Sequence, residues 1–141
     1  MQKILVPIDG SENAKRAVST LIKQHQAGVQ MDIHLLNVQI PVESGHARMF
    51  ISKSDLEAYY RDEGRQALED TAAVLKQAGV PFTEHLAIGH IAETVANFAQ
   101  QHQFDQIVMG THGRTGLTSL LLGSVASDVL RSSKVPVTLI K

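Results

Sequence analysis

The chain has 141 residues, the size of one folding domain built around one substantial core. Apolar residues make up 43% and charged residues 19%, ordinary globular usage that excludes a disordered chain, a collagen-like repeat and a coiled coil. Thirteen Lys and Arg against fourteen Asp and Glu leave a net charge of −1, without the basic excess that nucleic-acid binding requires, and the absence of cysteine removes disulfides, thiol chemistry and Cys-based zinc sites. Met1-Gln2-Lys3-Ile4 carries no apolar leader, and no stretch reaches the roughly 18 apolar residues of a membrane span, so a soluble, cytoplasmic protein is expected.

Ile4-Leu5-Val6-Pro7-Ile8 is a short, mostly β-branched run that predicts a buried strand, and Asp9-Gly10-Ser11 predicts a loop with Ser11 as the cap of a helix. Ala14, Ala17, Val18, Leu21 and Ile22 then recur at helical spacing until Gly28. Met31 to Val38 reads as a second strand, stopped by Pro41. From about Lys53 to Ala78 comes a long amphipathic helix, with Leu56, Tyr60, Ala67, Leu68, Thr71 and Leu75 on one stripe and Glu57, Arg61, Arg65 and Glu69 off it. Phe82 to Ile88 is a third strand, and Thr83, Glu84 and His85 within it argue for an edge. Ile91, Val95, Phe98, Ala99 and His102 predict another helix, Asp105 to Gly110 a fourth strand, Gly123 to about Ser132 a helix, and Val135 to Ile140 a last strand whose internal Pro136 confines it to an edge.

Five strands separated by long crossovers define an α/β, doubly wound parallel sheet with helices on both faces. The polar third and proline-bearing fifth strands belong at the two edges and the apolar first and fourth at the centre, which gives the order 3-2-1-4-5. Ligands of such sheets sit beyond the carboxyl ends of the strands where the winding reverses, here between strands one and four. The residues at those ends are Pro7-Ile8-Asp9 and Met109-Gly110.

The same place carries the motif Gly110-Thr111-His112-Gly113-Arg114, followed after nine residues beyond Gly113 by Gly123-Ser124, a G-x2-G-x9-G-S pattern. Glycines at 110 and 113 permit positive φ and close backbone approach, so their N–H groups are expected to cradle phosphate oxygens. Gly123-Ser124 adds helix N-terminal donors and the Ser124 hydroxyl. Arg114 is the one Lys or Arg between 110 and 124, too little charge for a triphosphate, so Mg²⁺ held chiefly by the phosphates is expected. Asp9, acceptor-only, suits a ribose hydroxyl.

With these motifs, from Ile4-Leu5-Val6-Pro7-Ile8-Asp9-Gly10-Ser11-Glu12 through Val108-Met109-Gly110-Thr111-His112-Gly113 and Leu122-Gly123-Ser124-Val125-Ala126 to Val135-Pro136-Val137, the chain resembles a small single-domain member of the universal stress protein family, over essentially residues 1–141. The resemblance implies ATP binding, with Pro7 and Asp9 at the ribose and Ile8 between them in the site, Val38 and its neighbours at adenine, Met109 and Gly110 along the nucleoside, and Gly113, Arg114, Gly123, Ser124 and Val125 at the phosphates. It also implies a stress-linked role. Asn37 stands where the family often has His, and His90 follows Gly89 where small residues or proline are frequent.

Neither a P-loop nor a dinucleotide-binding fingerprint is present, and His112 is the one candidate acid or base near the phosphates. The expectation is a nucleotide-binding regulatory protein rather than an enzyme; the alternative is a slow ATPase or a nucleotidyl transferase of the adenosine-binding α/β group. The seven histidines show no H-x3-H pair and scatter over several elements, which disfavours a histidine metal site. The apolar residues of 135–140 predict a homodimer pairing along that edge, as the resemblance also implies, and the regulatory role calls for a further protein partner.

Overall fold

The computed structural model describes residues 1–42, 52–111 and 123–141. In chain order the elements are β1 (Gln2–Pro7), α1 (Glu12–Gln26), β2 (Met31–Gln39), α2 (Lys53–Gln77), β3 (Phe82–Ile88), α3 (Ile91–Gln101), β4 (Gln106–Gly110), α4 (Ser124–Ser132) and β5 (Val137–Ile140). All strand pairs are parallel, and the order is β3-β2-β1-β4-β5, as read from the sequence.

Alternation along the strands divides the core into two layers. Ile4 and Val6 of β1, Ile33 and Leu35 of β2 and Val108 of β4 face Val18 and Leu21 of α1 and Leu68 and Leu75 of α2. Leu5, Leu36, Ile107 and Met109 face the opposite way, onto Val95 and Ala99 of α3 and Ala126 and Val129 of α4. Residues of β1 and β4 are buried on both faces, which is why these strands read as unbroken apolar runs. β3 shows the half-exposed pattern of an edge. At the other edge Pro136 is not internal, as expected from sequence, but stands just before β5. It therefore removes no N–H from the β4–β5 pairing, and its carbonyl accepts from the Ile107 N–H at 2.8 Å.

The long second helix begins at Ser52, whose hydroxyl accepts from the Asp55 N–H at 3.1 Å. Among the described residues no helix is long and apolar enough to cross a membrane.

Candidate functional site

At the carboxyl end of β1 the chain leaves the sheet under tight control. The Ile8 N–H donates to the Leu36 carbonyl at 2.8 Å, and the buried Asn37 Nδ2 donates to the Ile8 carbonyl at 2.7 Å. Asn37 Oδ1 accepts from Gln39 Nε2 at 2.7 Å, so both ends of its amide are satisfied. Asn37, set aside in the sequence reading as a departure, thus splints the exit of β1 to β2. Asp9 then folds back, its Oδ1 accepting the Ser11 N–H at 2.9 Å, and Gly10 turns at φ +85°, a left-handed conformation that favours glycine.

Ser11 occupies the position before the first turn of α1, as expected, but its hydroxyl does not cap the helix. Ser11 Oγ is enclosed and has no hydrogen-bond partner among the described residues. The Ser11 N–H donates to the Asp9 carboxylate, and Ser11 lines the cleft.

The expectation for Gly110 also changes. Its φ is not among the positive values of the described glycines. Glycine stands there because the first turn of α1 lies against the end of β4: a Cβ would run into the Asn13 carbonyl oxygen and sit 2.6 Å from the Asn13 carbonyl carbon. Beyond it, the Thr111 N–H donates to the Ile140 carbonyl at 2.8 Å and the Thr111 carbonyl accepts from Arg16 Nη2 at 3.1 Å. α4 starts at Ser124 with Gly123 before it in extended conformation, φ −62° and ψ 153°, and no side chain caps its first turn either.

Pro7, Ile8, Asp9, Val38, Met109, Gly110, Gly123, Ser124 and Val125, dispersed over four segments of sequence, line one cleft of about 160 Å³. That space exceeds the roughly 30 Å³ share of a single water several-fold. His112, Gly113 and Arg114 lie outside the described residues. Leu36, Ile91 and Val95 complete an apolar wall that the sequence reading did not include; the periodicity of 91–102 marks an inward stripe without saying that one end of it borders a cleft. Asn13 also lines the cleft, and Asp9 is the one charged side chain among the described lining residues. The first turns of α1 and α4, neither capped by a side chain, both border this space.

A second cluster lies on the α3 side of β2 and β3. His34 Nδ1 and His85 Nε2 are 2.8 Å apart with the rings stacked at 5.1 Å, and Phe98, His102 and Phe104 surround them. Asp32 Oδ2 lies 3.0 Å from His34 Nε2, close enough to pair but outside hydrogen-bond alignment. Burial, followed by the neighbouring His34, His102 and Lys3, pushes the His85 imidazole below its ordinary value. The two facing nitrogens share a hydrogen bond instead of converging on an ion, and among the described residues no group of three His, Asp or Glu side chains is placed to hold a metal.

The fold and the cleft define a doubly wound α/β domain with a space at the reversal of winding. The family model for the universal stress protein family matches residues 1–141, and the chain belongs to that family. Universal stress protein MJ0531 of Methanocaldococcus jannaschii is 32% identical, with 99% of this chain and 82% of that protein covered. Universal stress protein MJ0577 of the same organism is 28% identical over 99% of this chain and 94% of its own length, and the solved structure of MJ0577 superposes with a TM-score of 0.77, covering 99% of this chain and 95% of that one. A universal stress protein solved in complex with cAMP shares the fold at 24% identity, TM-score 0.71, covering 99% and 97% of the two chains.

Proposed function

We propose that residues 1–141 form one regulatory unit that binds an adenine nucleotide, ATP with Mg²⁺, in the cleft between β1 and β4, and that signals through its conformation or dimer state. The observation that carries this reading is the convergence of two helix N-termini, both without side-chain caps, on one apolar-walled cleft. Each supplies unpaired N–H donors and the positive end of a helix dipole, equivalent to about half a charge, which together suit an anion. The enclosed hydroxyl of Ser11, without a partner among the described residues, is a further donor in this wall.

In this reading Leu36, Val38, Ile91 and Val95 receive the base, Pro7, Ile8 and Asp9 meet the ribose, Met109 and Gly110 run beside the nucleoside, and Gly123, Ser124 and Val125 take the phosphates together with His112, Gly113 and Arg114. Bound Mg²⁺ offsets phosphate charge and is held by the phosphates themselves. The family neighbour solved with cAMP supports an adenine nucleotide as the ligand class. Pairing of a second copy along 135–140, the outer side of the edge strand β5, gives the nucleotide an interface to bias, and a further protein partner reads the result.

Thermal unfolding with and without Mg-ATP tests the proposal. At a concentration 100-fold above Kd, binding contributes about 2.7 kcal/mol, a rise of roughly 5–10 °C in Tm for a chain of this size. Failure of ATP, ADP and cAMP alike to shift Tm at millimolar concentration overturns it.

A further inference from the structure

Arg16 of α1 stands one contact behind the cleft and is not used by anything described so far. Its Nη2 donates to the Thr111 carbonyl at 3.1 Å and also to Asn13 Oδ1, so one side chain ties the first turn of α1 to the exit of β4. Those are two walls of the cleft, and they are already so close that Gly110 admits no side chain against Asn13. Arg16 makes no ion pair with a carboxylate among the described residues. Its neighbour Lys15, by contrast, is neutralised by Glu12 and Asp70 at 3.2 and 3.3 Å. Arg16 is half-buried, and its Nε is enclosed without a hydrogen-bond partner among the described residues. A partly buried cation there favours negative charge on the other side of the wall, where the one described charged lining residue, Asp9, disfavours it.

We propose that Arg16 is a positioning residue of the cleft whose guanidinium, bridging Asn13 and Thr111, gives the site a preference for phosphorylated over unphosphorylated adenosine. The proposal rests on the nucleotide reading given above. The guanidinium does not touch the ligand; it sets the separation of the Asn13 and Gly110 walls and supplies a fixed positive potential behind them. Arginine suits both tasks, because its planar donors hold two acceptors at once while the charge persists at every physiological pH.

Titration calorimetry of ATP and of adenosine against the wild type, Arg16→Gln, Arg16→Met and Arg16→Lys separates the possibilities, with circular dichroism to verify folding. Either neutral variant that folds is expected to weaken ATP about tenfold or more while adenosine changes by less than about twofold, and Arg16→Lys is expected to recover most of the ATP to adenosine ratio. Equal weakening of both ligands, or unchanged ATP affinity in the neutral variants, overturns the role of Arg16 and leaves the nucleotide cleft standing. A wild-type protein that binds neither ligand overturns the nucleotide reading and this inference with it.

Discussion

Replacing Gly110 by Ala asks whether this glycine serves backbone conformation or packing. The added Cβ lies 2.6 Å from the Asn13 carbonyl carbon and 2.9 Å from Asn13 Cβ, where ordinary contact begins at 3.4 Å, and it collides with the Asn13 oxygen. Neither side yields easily. β4 is hydrogen-bonded between β1 and β5, and Asn13 belongs to the first turn of a helix anchored in the core by Ala14, Ala17 and Val18. Overpacking of flexible core side chains costs about 1–3 kcal/mol, and with backbone on both sides the upper end applies, about 3 kcal/mol. For 141 residues that corresponds to a Tm lower by about 10 °C. Gly28→Ala is the matched control: its φ is +98° and a Cβ there meets nothing within 4 Å, so it reports left-handed strain alone, about 1 kcal/mol. Denaturant midpoints and Tm of both variants decide the matter. A Gly110→Ala variant no less stable than Gly28→Ala refutes the close-approach argument, and with it the packing of α1 on the end of β4.

Two further outcomes follow from serines and histidines. Ser52→Ala removes the hydroxyl that caps α2 and is expected to cost about 1 kcal/mol, whereas Ser11→Ala removes no cap and is expected to leave the denaturant midpoint nearly unchanged while weakening nucleotide binding; equal stability losses contradict the assignment. The His85 imidazole is held below its ordinary value of 6.5, so as pH falls through that value the unfolded chain takes up a proton more readily than the folded one. Stability from this group is full above the ordinary value, declines as pH drops below it, and levels off once the folded imidazole also protonates. Tm measured between pH 7.5 and 5 is expected to fall less in His85→Asn than in the wild type; parallel curves refute the contribution.

Much of the sheet was legible because each strand carries its environment in its composition. Ile4, Leu5 and Val6 have no polar alternation because both faces of β1 are covered, and Thr83, Glu84 and His85 are tolerated because β3 has a solvent side. The cleft was legible at its strand ends for a topological reason, since reversal of winding opens a space wherever the order is 3-2-1-4-5. What the residues did not reveal depends on proximity across long separations. Gly110 was assigned a positive φ and a close approach to phosphate, whereas its φ is not positive and the close approach seen is to the Asn13 carbonyl, 97 positions earlier (110 minus 13). Ser11 was assigned a cap because residue type alone suggests one, yet its hydroxyl makes no capping hydrogen bond. The histidines were judged scattered, and in sequence they are; pairing of β2 with β3 in register brings His34 and His85 together.

The placement of β1 in the middle of the sheet has a consequence for synthesis. Leu5 lies beside Ile107, 102 positions further along (107 minus 5), so the greasiest ribbon of the chain emerges first from the ribosome and gains its second neighbour almost last. At about 5–20 residues per second, one flank of that ribbon waits on the order of 5–20 s for β4. Until then one edge of β1 stands as an open template to any other extended peptide.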